Sequence, residues 1–171
     1  MINIKYIPLS RGMFAIIDEC EYDNISRFNW YIKESHGVYY AQRNLLINGK
    51  RNTQKMHRFI MDAPKGIQVD HINHNGLDNR KENLRLCTHG QNQMNSRSRK
   101  GSSSQYKGVI KTKVGKPWAA HYQFNNKVHR IGGFNSEIEA ALAYDEIVSK
   151  KFGEFAYLNF PQTFKDKGVD L

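Results

Sequence analysis

Between Val69 and Asn95 the chain reads VDHINHNGLDNRKENLRLCTHGQNQMN, a span crowded with His, Asp and Asn and poor in residues that build a core. Two of these residues, Asp70 and Asn92, offer hard oxygens. Such a pair makes a poor zinc cage but a reasonable seat for Mg²⁺, which keeps waters or takes phosphate oxygens from a substrate. Beside Asp70 stands His71. An imidazole can take a proton from a water attacking phosphorus, while a metal ion steadies the transition-state charge and the departing oxyanion. The same residue types also suit a loop held together by its own hydrogen bonds, and no single one of them decides between the two readings.

Placing these side chains at one site asks for particular elements. GIQVDH reads as a strand ending at the Asp-His pair, INHNGLDNRKEN as a polar loop and LRLCT as a second strand. Thr88 and Gln91 then cap a helix that carries Asn92 and Asn95. Successive strand residues point to opposite faces, so Asp70 and His71 share a site only where the strand leaves its pleat. Residues 1–56 read as short strands with one helical turn. GMFAIID and GVYYAQRNLLI are strand-like, DECEYDNISRF between them is helical, and Asn48-Gly49 has the chemistry of a hairpin turn before RNTQKMH. HRFIMDAP forms a short helix that Pro64 ends.

Taken together, Asp70-His71, Asn83 in ENLR and Asn92 in THGQNQMN closely resemble the HNH nuclease family, in its phage-encoded and homing-endonuclease form with a ββα-metal site. MHRF at 56–59 is similar to that family's upstream element. The resemblance implies His71 as general base and Asp70 and Asn92 as ligands of one divalent ion per active site, Mg²⁺ or Mn²⁺. It implies Asn83 as the residue that braces the loop and orients His71. It also implies hydrolysis of double-stranded DNA to 5′-phosphate and 3′-hydroxyl ends. Some branches carry His where this chain has Asn92, which points to a hard ion rather than a tightly held zinc. His57 reads as structural, His74 as a solvated loop residue, and His89 as a phosphate contact or a helix-start residue. Arg58, Arg80, Lys81 and Arg85 are candidates to clamp the DNA backbone.

The 171 residues hold 26 Lys and Arg against 16 Asp and Glu, a formal charge of +10. That balance suits a polyanion. Cys20 and Cys87 form no CxxC pair, which supports neither a disulfide framework nor a cysteine-ligated zinc, and they read as reduced, buried thiols. No apolar run approaches the ~18 residues of a membrane span, and MINIKYIPLSRGMF lacks the features of a signal peptide. The expectation is a cytoplasmic protein, of a bacterial host cell if phage-encoded, with no membrane and no obligate protein partner.

SRSRKGSSSQ, from Ser96 to Gln105, is polar, basic and without apolar periodicity, and reads as a linker whose Arg97, Arg99 and Lys100 track phosphates. From Tyr106 the pattern changes to three strand-like runs, YKGVIKTK, PWAAHYQFNN and KVHRIGGF. Ser136 and Glu139 then make a capping box for EIEAALAYDEIVSKKF, with Gly153 at its C-terminal end. Ala140, Ala141 and Ala143 let that helix lie close on the sheet. Trp118, Ala120, Tyr122 and Phe124 alternate onto the strand face beneath it, so His121 and Gln123 face away. YKGV, WAA, GGF, AALAYD and LNFP, spread over residues 105–161, resemble the plant ethylene-response-factor, or Apetala-type, DNA-binding domain. The resemblance implies that the sheet face opposite the helix reads the major groove, through Lys107, Ile110, Thr112, Lys116, His121, Gln123 and Arg130, and Lys111 is a further candidate DNA contact. The plant pattern is Arg-rich there, and Ile110 and Thr112 cannot make the bidentate contact to guanine that Arg makes.

The sequence thus predicts an α+β protein in four stretches. Residues 1–98 form a nuclease domain, with a β-rich N-terminal segment and a ββα-metal core at about 56–98. Residues 99–105 are a basic Ser-rich linker, 106–161 a three-stranded antiparallel sheet packed on one helix, and 162–171 a tail. The expected function is metal-dependent cleavage of duplex DNA, with target choice aided by the second domain. The rival is a DNA-binding transcriptional regulator on an inactive nuclease fold. The joint presence of Asp70, His71, Asn83 and Asn92 argues against it, because loss of activity relaxes those positions. An RNA-binding role lacks an aromatic single-strand platform.

Overall fold

A computed structural model of the chain describes residues 3–98, 101–125 and 127–165. It divides into two compact units, Met1–Asn92 and Gln93–Leu171. The architecture is α+β, with four separate antiparallel sheets among the described residues. No described helix is long and apolar enough to cross a membrane.

In the first unit, β1 (Ile4–Pro8) pairs with β2 (Phe14–Asp18), and a short helix, α1 (Tyr22–Ser26), follows. A three-stranded sheet comes next, β3 (Tyr31–Ser35), β4 (Val38–Ile47) and β5 (Lys50–Lys55), in that order. Asn48 and Gly49 turn β4 into β5 with φ of 50° and 74°, the left-handed pair that a two-residue hairpin demands. The core gathers Ile7, Ala15, Ile17, Ile25, Trp30, Ile32, Ala41 and Met56. Met56 opens α2 (Met56–Ile60) and so fixes that helix to the sheet. β6 (Gln68–His71) pairs with β7 (Leu84–Cys87), and α3 (His89–Asn95) completes the ββα element. Thr88 and Gln91 form the expected reciprocal cap. Thr88 N donates to Gln91 Oε1 at 2.8 Å, and Gln91 N to Thr88 Oγ1 at 3.2 Å.

The second unit holds β8 (Val109–Lys111), β9 (Trp118–Phe124) and β10 (Lys127–Phe134), with β9 central. Across one face lies α4 (Glu137–Phe152), where Ser136 Oγ accepts from Glu139 N at 3.1 Å. Ala140 and Ala141, fully buried, bring the helix down onto Val109 and Ala120. Gly108 sits at φ 74°, and a Cβ there would lie 2.1 and 2.2 Å from two Tyr144 ring carbons and 2.7 Å from the His121 carbonyl oxygen. Only glycine meets both the conformation and the space.

Several expectations change. Ser103 and Ser104, read as linker, belong to the second fold: Ser104 is 5% exposed, its Oγ accepts from Tyr106 N, and Ser103 Oγ accepts from Lys111 N. Hydroxyls that satisfy neighbouring backbone donors hold such a stretch without apolar periodicity. The tail begins as a short helix, α5 (Pro161–Lys165), and residues beyond it lie outside the described ones. Cys87 is buried as expected, whereas Cys20 is exposed.

Candidate active site

The site is built on β6, β7 and α3, with β4 and α2 packed against it. Register is regular along β6 and β7, with Asp70 opposite Arg85 and His71 opposite Leu84. No bulge interrupts the ladder at Asp70-His71; His71 is the last paired residue of β6, and the charge of Asp70 acts on it at that strand end. Both residues are 6% exposed.

Asp70 Oδ2 accepts from Arg85 Nε at 3.0 Å and from Nη2 at 2.8 Å. Arg85, a candidate backbone clamp in the sequence, is thus the counter-ion of the buried carboxylate. Asn92 Nδ2 donates to Gln68 Oε1 at 2.7 Å. Gln68 lies two residues before Asp70 on the same strand, hence on the same face, so the strand that carries the carboxylate also orients the amide. With its NH₂ end tied to Gln68, Asn92 has Oδ1 left for a ligand. By donor type, a carboxylate oxygen and an amide oxygen fit a hard divalent ion. No group of three or more His, Cys, Asp or Glu side chains that could hold a metal occurs among the described residues.

His71 lies in a box of rings. The ring of His57 meets it edge-on at a centroid distance of 4.9 Å, and Tyr40 lies 5.7 Å from His57 and 5.8 Å from His71. Tyr40 also packs on Gly76 in the motif loop, where a Cβ would come within 2.7 Å of its ring. Burial lowers the pKa of His71 to about 4, while the Asn79 amide and the charge of Asp70 act to raise it. Asn79, 1% exposed, exerts that influence without meeting full hydrogen-bond geometry. His57 is pushed further, to about 2, by burial and then by His71. Its Nδ1 is buried with no hydrogen-bond partner among the described residues. His57, read from the sequence as structural, contacts His71. The nearby MHRF similarity pointed to this region, but the ring box itself is formed by residues far apart in sequence.

Asn83 organises the loop. Its Oδ1 accepts from Asn73 N at 2.9 Å and its Nδ2 donates to the Asp78 carbonyl at 2.7 Å. Asp78, 3% exposed, takes two hydrogen bonds from the Arg80 guanidinium and one from Asn73 Nδ2. That pairing holds the Asp78 carboxyl below its ordinary range, mainly through Arg80. His74, read as a solvated loop residue, is half-buried at φ 61°. His89, exposed at the start of α3, meets Gln68 Nε2 through Nδ1 at 3.1 Å.

Several residues offered to DNA by the sequence are engaged within the protein. Arg58 donates to the carbonyls of Ala63, Pro64 and Ile67, closing the turn after α2. Arg80 is held by Asp78 and Glu82, and Lys81 by Glu21. Lys107 caps α3 through the carbonyls of Gln93 and Met94. Thr112 Oγ1 donates to the Lys116 carbonyl within the β8–β9 turn. Lys111, opposite Trp118 in the ladder, falls on the α4 side of the sheet. A sequence displays these charges and hydroxyls but not the carbonyls and carboxylates that claim them.

The face away from α4 retains Ile110, His121, Gln123 and Arg130. Arg130 lies opposite His121, and Val128 opposite Gln123, so these four share one face. Gln123 and Arg130 are exposed, and His121 Nδ1 is buried there with no hydrogen-bond partner among the described residues. Lys116 and Arg97 are exposed. Arg99 and Lys100 lie outside the described residues.

Residues 62–94 match the family described as HNH endonuclease. Over 167 residues, 92% of this chain and 82% of its relative, the sequence is 33% identical to an uncharacterized HNH endonuclease of Acanthamoeba polyphaga mimivirus. A partial likeness, 39% identical over 66 residues, is to dehydration-responsive element-binding protein 2D of Arabidopsis thaliana, and covers 37% of this chain and 32% of the plant protein. No solved structure matches.

Proposed function

Because the chain belongs to the HNH endonuclease family, we propose that it hydrolyses phosphodiester bonds of duplex DNA with one divalent ion per site, His71 accepting the proton of the attacking water. The observation that carries this reading is the enclosure of His71 by Tyr40 and His57, with the Asp70 charge acting on His71 and Asn92 tied through Gln68 to the strand that carries Asp70. Asp70 and Asn92 would hold Mg²⁺ or Mn²⁺, which when bound supplies charge neutralisation at the phosphate.

His71 stays unprotonated near neutral pH because it is buried, which keeps it ready to accept a proton. Phosphate oxyanions arriving with the substrate raise its proton affinity towards the working pH, the direction a general base requires. Asn83 and Asp78 fix the loop that follows His71, and Arg85 holds the Asp70 carboxylate in place. In the second unit, Ile110, His121, Gln123 and Arg130 present the surface that selects the site on duplex DNA. The likeness to the plant element-binding protein supports this role, as does the unmet His121 Nδ1 on that face. Lys116 and Arg97 add phosphate contacts, joined on sequence grounds by Arg99 and Lys100.

Incubation with supercoiled plasmid, with Mg²⁺ and with excess chelator, tests the reading. The wild type should convert plasmid to nicked or linear forms only with the metal. His71→Ala should lower the rate about 10²- to 10⁴-fold while binding DNA in chelator almost as before. Full cleavage in chelator, or cleavage by His71→Ala at the wild-type rate, would contradict it.

A further inference from the structure

With Arg58, Arg80, Arg85 and Lys81 engaged inside the first unit, its remaining positive charge is concentrated elsewhere. From Gln42 to Lys55 the sequence QRNLLINGKRNTQK contains two Arg, two Lys and no Asp or Glu. β3 pairs with β4 only as far as Gln42, so beyond the Gln42–Lys55 pair the hairpin is a bare two-stranded ribbon. Five residues at about 3.4 Å each carry its tip about 17 Å past that pair. The tip exposes Lys50 and Arg51 beside Leu46, 74% exposed, and Ile47, 50% exposed. Neither cation has an ion pair among the described residues.

At the root of the ribbon, Arg43 is 8% exposed. Its Nε and Nη2 both donate to Gln54 Oε1, at 2.9 and 2.7 Å. Its guanidinium carbon lies 3.5 Å from the Phe28 ring centroid, 4.7 Å from that of Phe59 and 5.3 Å from that of Trp30. No carboxylate pairs with it among the described residues. A buried guanidinium held only by an amide and aromatic faces is costly unless an anion completes its surroundings. Arg43 lines a groove of about 530 Å³ together with Arg27, Asn29, Tyr31 and Asn44. The groove thus offers a second cation and neutral hydrogen-bonding side chains, and no acid.

We propose that the β4–β5 ribbon is a second contact with the DNA backbone, separate from the catalytic loop. Arg43 and Arg27 take one phosphate in the root groove, and Lys50 and Arg51 take the backbone further along the same duplex. A planar guanidinium fork matches a phosphate diester. A run of cations without acids, reaching about 17 Å, suits a partner that carries a charge every ~1.7 Å of its axis. This inference rests on the reading of the chain as a DNA-cutting enzyme, and it assigns a part of substrate binding that the motif residues do not supply.

The test uses the full chain and a fluorescent duplex in chelator, with affinity measured against salt. Each lost phosphate contact lowers the slope of log affinity against log salt by about 0.9. Lys50→Ala with Arg51→Ala should therefore lower it by about 1.8, and Arg27→Ala by about 0.9, equally on two unrelated duplexes. Arg43 itself packs on the core, so the outcome is judged on these three exposed side chains. The control, Lys33→Ala with Lys65→Ala, removes the same charge from elsewhere on the unit and should leave the slope near wild type. Unaltered slopes in the ribbon variants, or an equal loss in the control, would overturn the proposal. Plasmid cleavage by the wild type with Mg²⁺ is run in parallel. If it cuts while the ribbon variants bind normally, only the ribbon assignment fails; if it does not cut while they lose slope, only the nuclease reading fails.

Discussion

The two units bury different things. In the first, His57, Asp70, His71, Asn79 and Asn83 are all 6% exposed or less, and the His57 Nδ1 and the Asn79 amide meet no hydrogen-bond partner of full geometry there. In the second, the helix-side interior is Val109, Ala120, Ala140, Ala141, Tyr144 and Val148. Its fully buried carboxylate, Asp145, accepts from Asn159 N, Asn159 Nδ2 and Phe160 N. Asp145 fastens the LNFP segment to α4. Buried polar groups that are fully satisfied fix a fold, whereas incompletely satisfied ones are a cost that persists where chemistry needs them. The first unit tolerates that cost around His71, and in the second, among the described residues, the unmet His121 Nδ1 lies on the face away from α4.

The largest effect that would sharpen this contrast is expected in the second unit, at the close approach of Gly108 to Tyr144. Gly108→Ala should lower stability by about 4 kcal/mol, from backbone strain and overpacking together. In a thermal melt the transition of the second unit should move down while the first unit keeps its cleavage activity. A melt indistinguishable from wild type would mean that the interior is not closed at that point.

The first unit should show its contrast in pH. His57 and His71 have folded-state pKa values held down to about 2 and about 4 by burial, against about 6.5 in an unfolded chain. Below that unfolded value the unfolded state binds more protons, so stability is fully present above about pH 6.5 and is lost as pH falls towards 4. Melts in chelator should therefore show the first unit weakening between pH 7 and pH 5, a loss that His57→Phe reduces. Equal stability at both pH values would show that the rings are not shielded from water.

The smallest expected effects concern the face away from α4. Gln123→Ala and Arg130→Ala should each shift preference among DNA sites by about 1 to 3 kcal/mol. Lys107→Ala should leave preference alone and cost stability instead, since its ammonium caps α3. A cleavage-site map on one long duplex at fixed salt separates them. A changed map in Lys107→Ala would blur the distinction between packing and reading.

What was legible in the sequence was local. The Thr88–Gln91 and Ser136–Glu139 caps, the Asn48-Gly49 turn and the alternation that sends Gln123 away from Ala120 depend on neighbours a few residues apart, and the structure holds all of them. Spacing also brought Asp70, His71, Asn83 and Asn92 onto one ββα element. What was not legible was long-range pairing. β3, with its polar KES end, gives little alternation and forms by pairing with β4. The engagement of Asp70 by Arg85, of Arg58 by three carbonyls and of His71 by Tyr40 depends on partners that only the folded chain brings near.

The contact of Tyr40 with Gly76 and His71 sets a lower limit on the portable cassette in this molecule. Residues 62–94 carry the family signature, yet excised alone they would leave behind both rings that enclose the imidazole. A graft into another scaffold must start no later than β4, or the host must offer an aromatic lid of its own. The recognisable signature is therefore shorter than the transplantable unit.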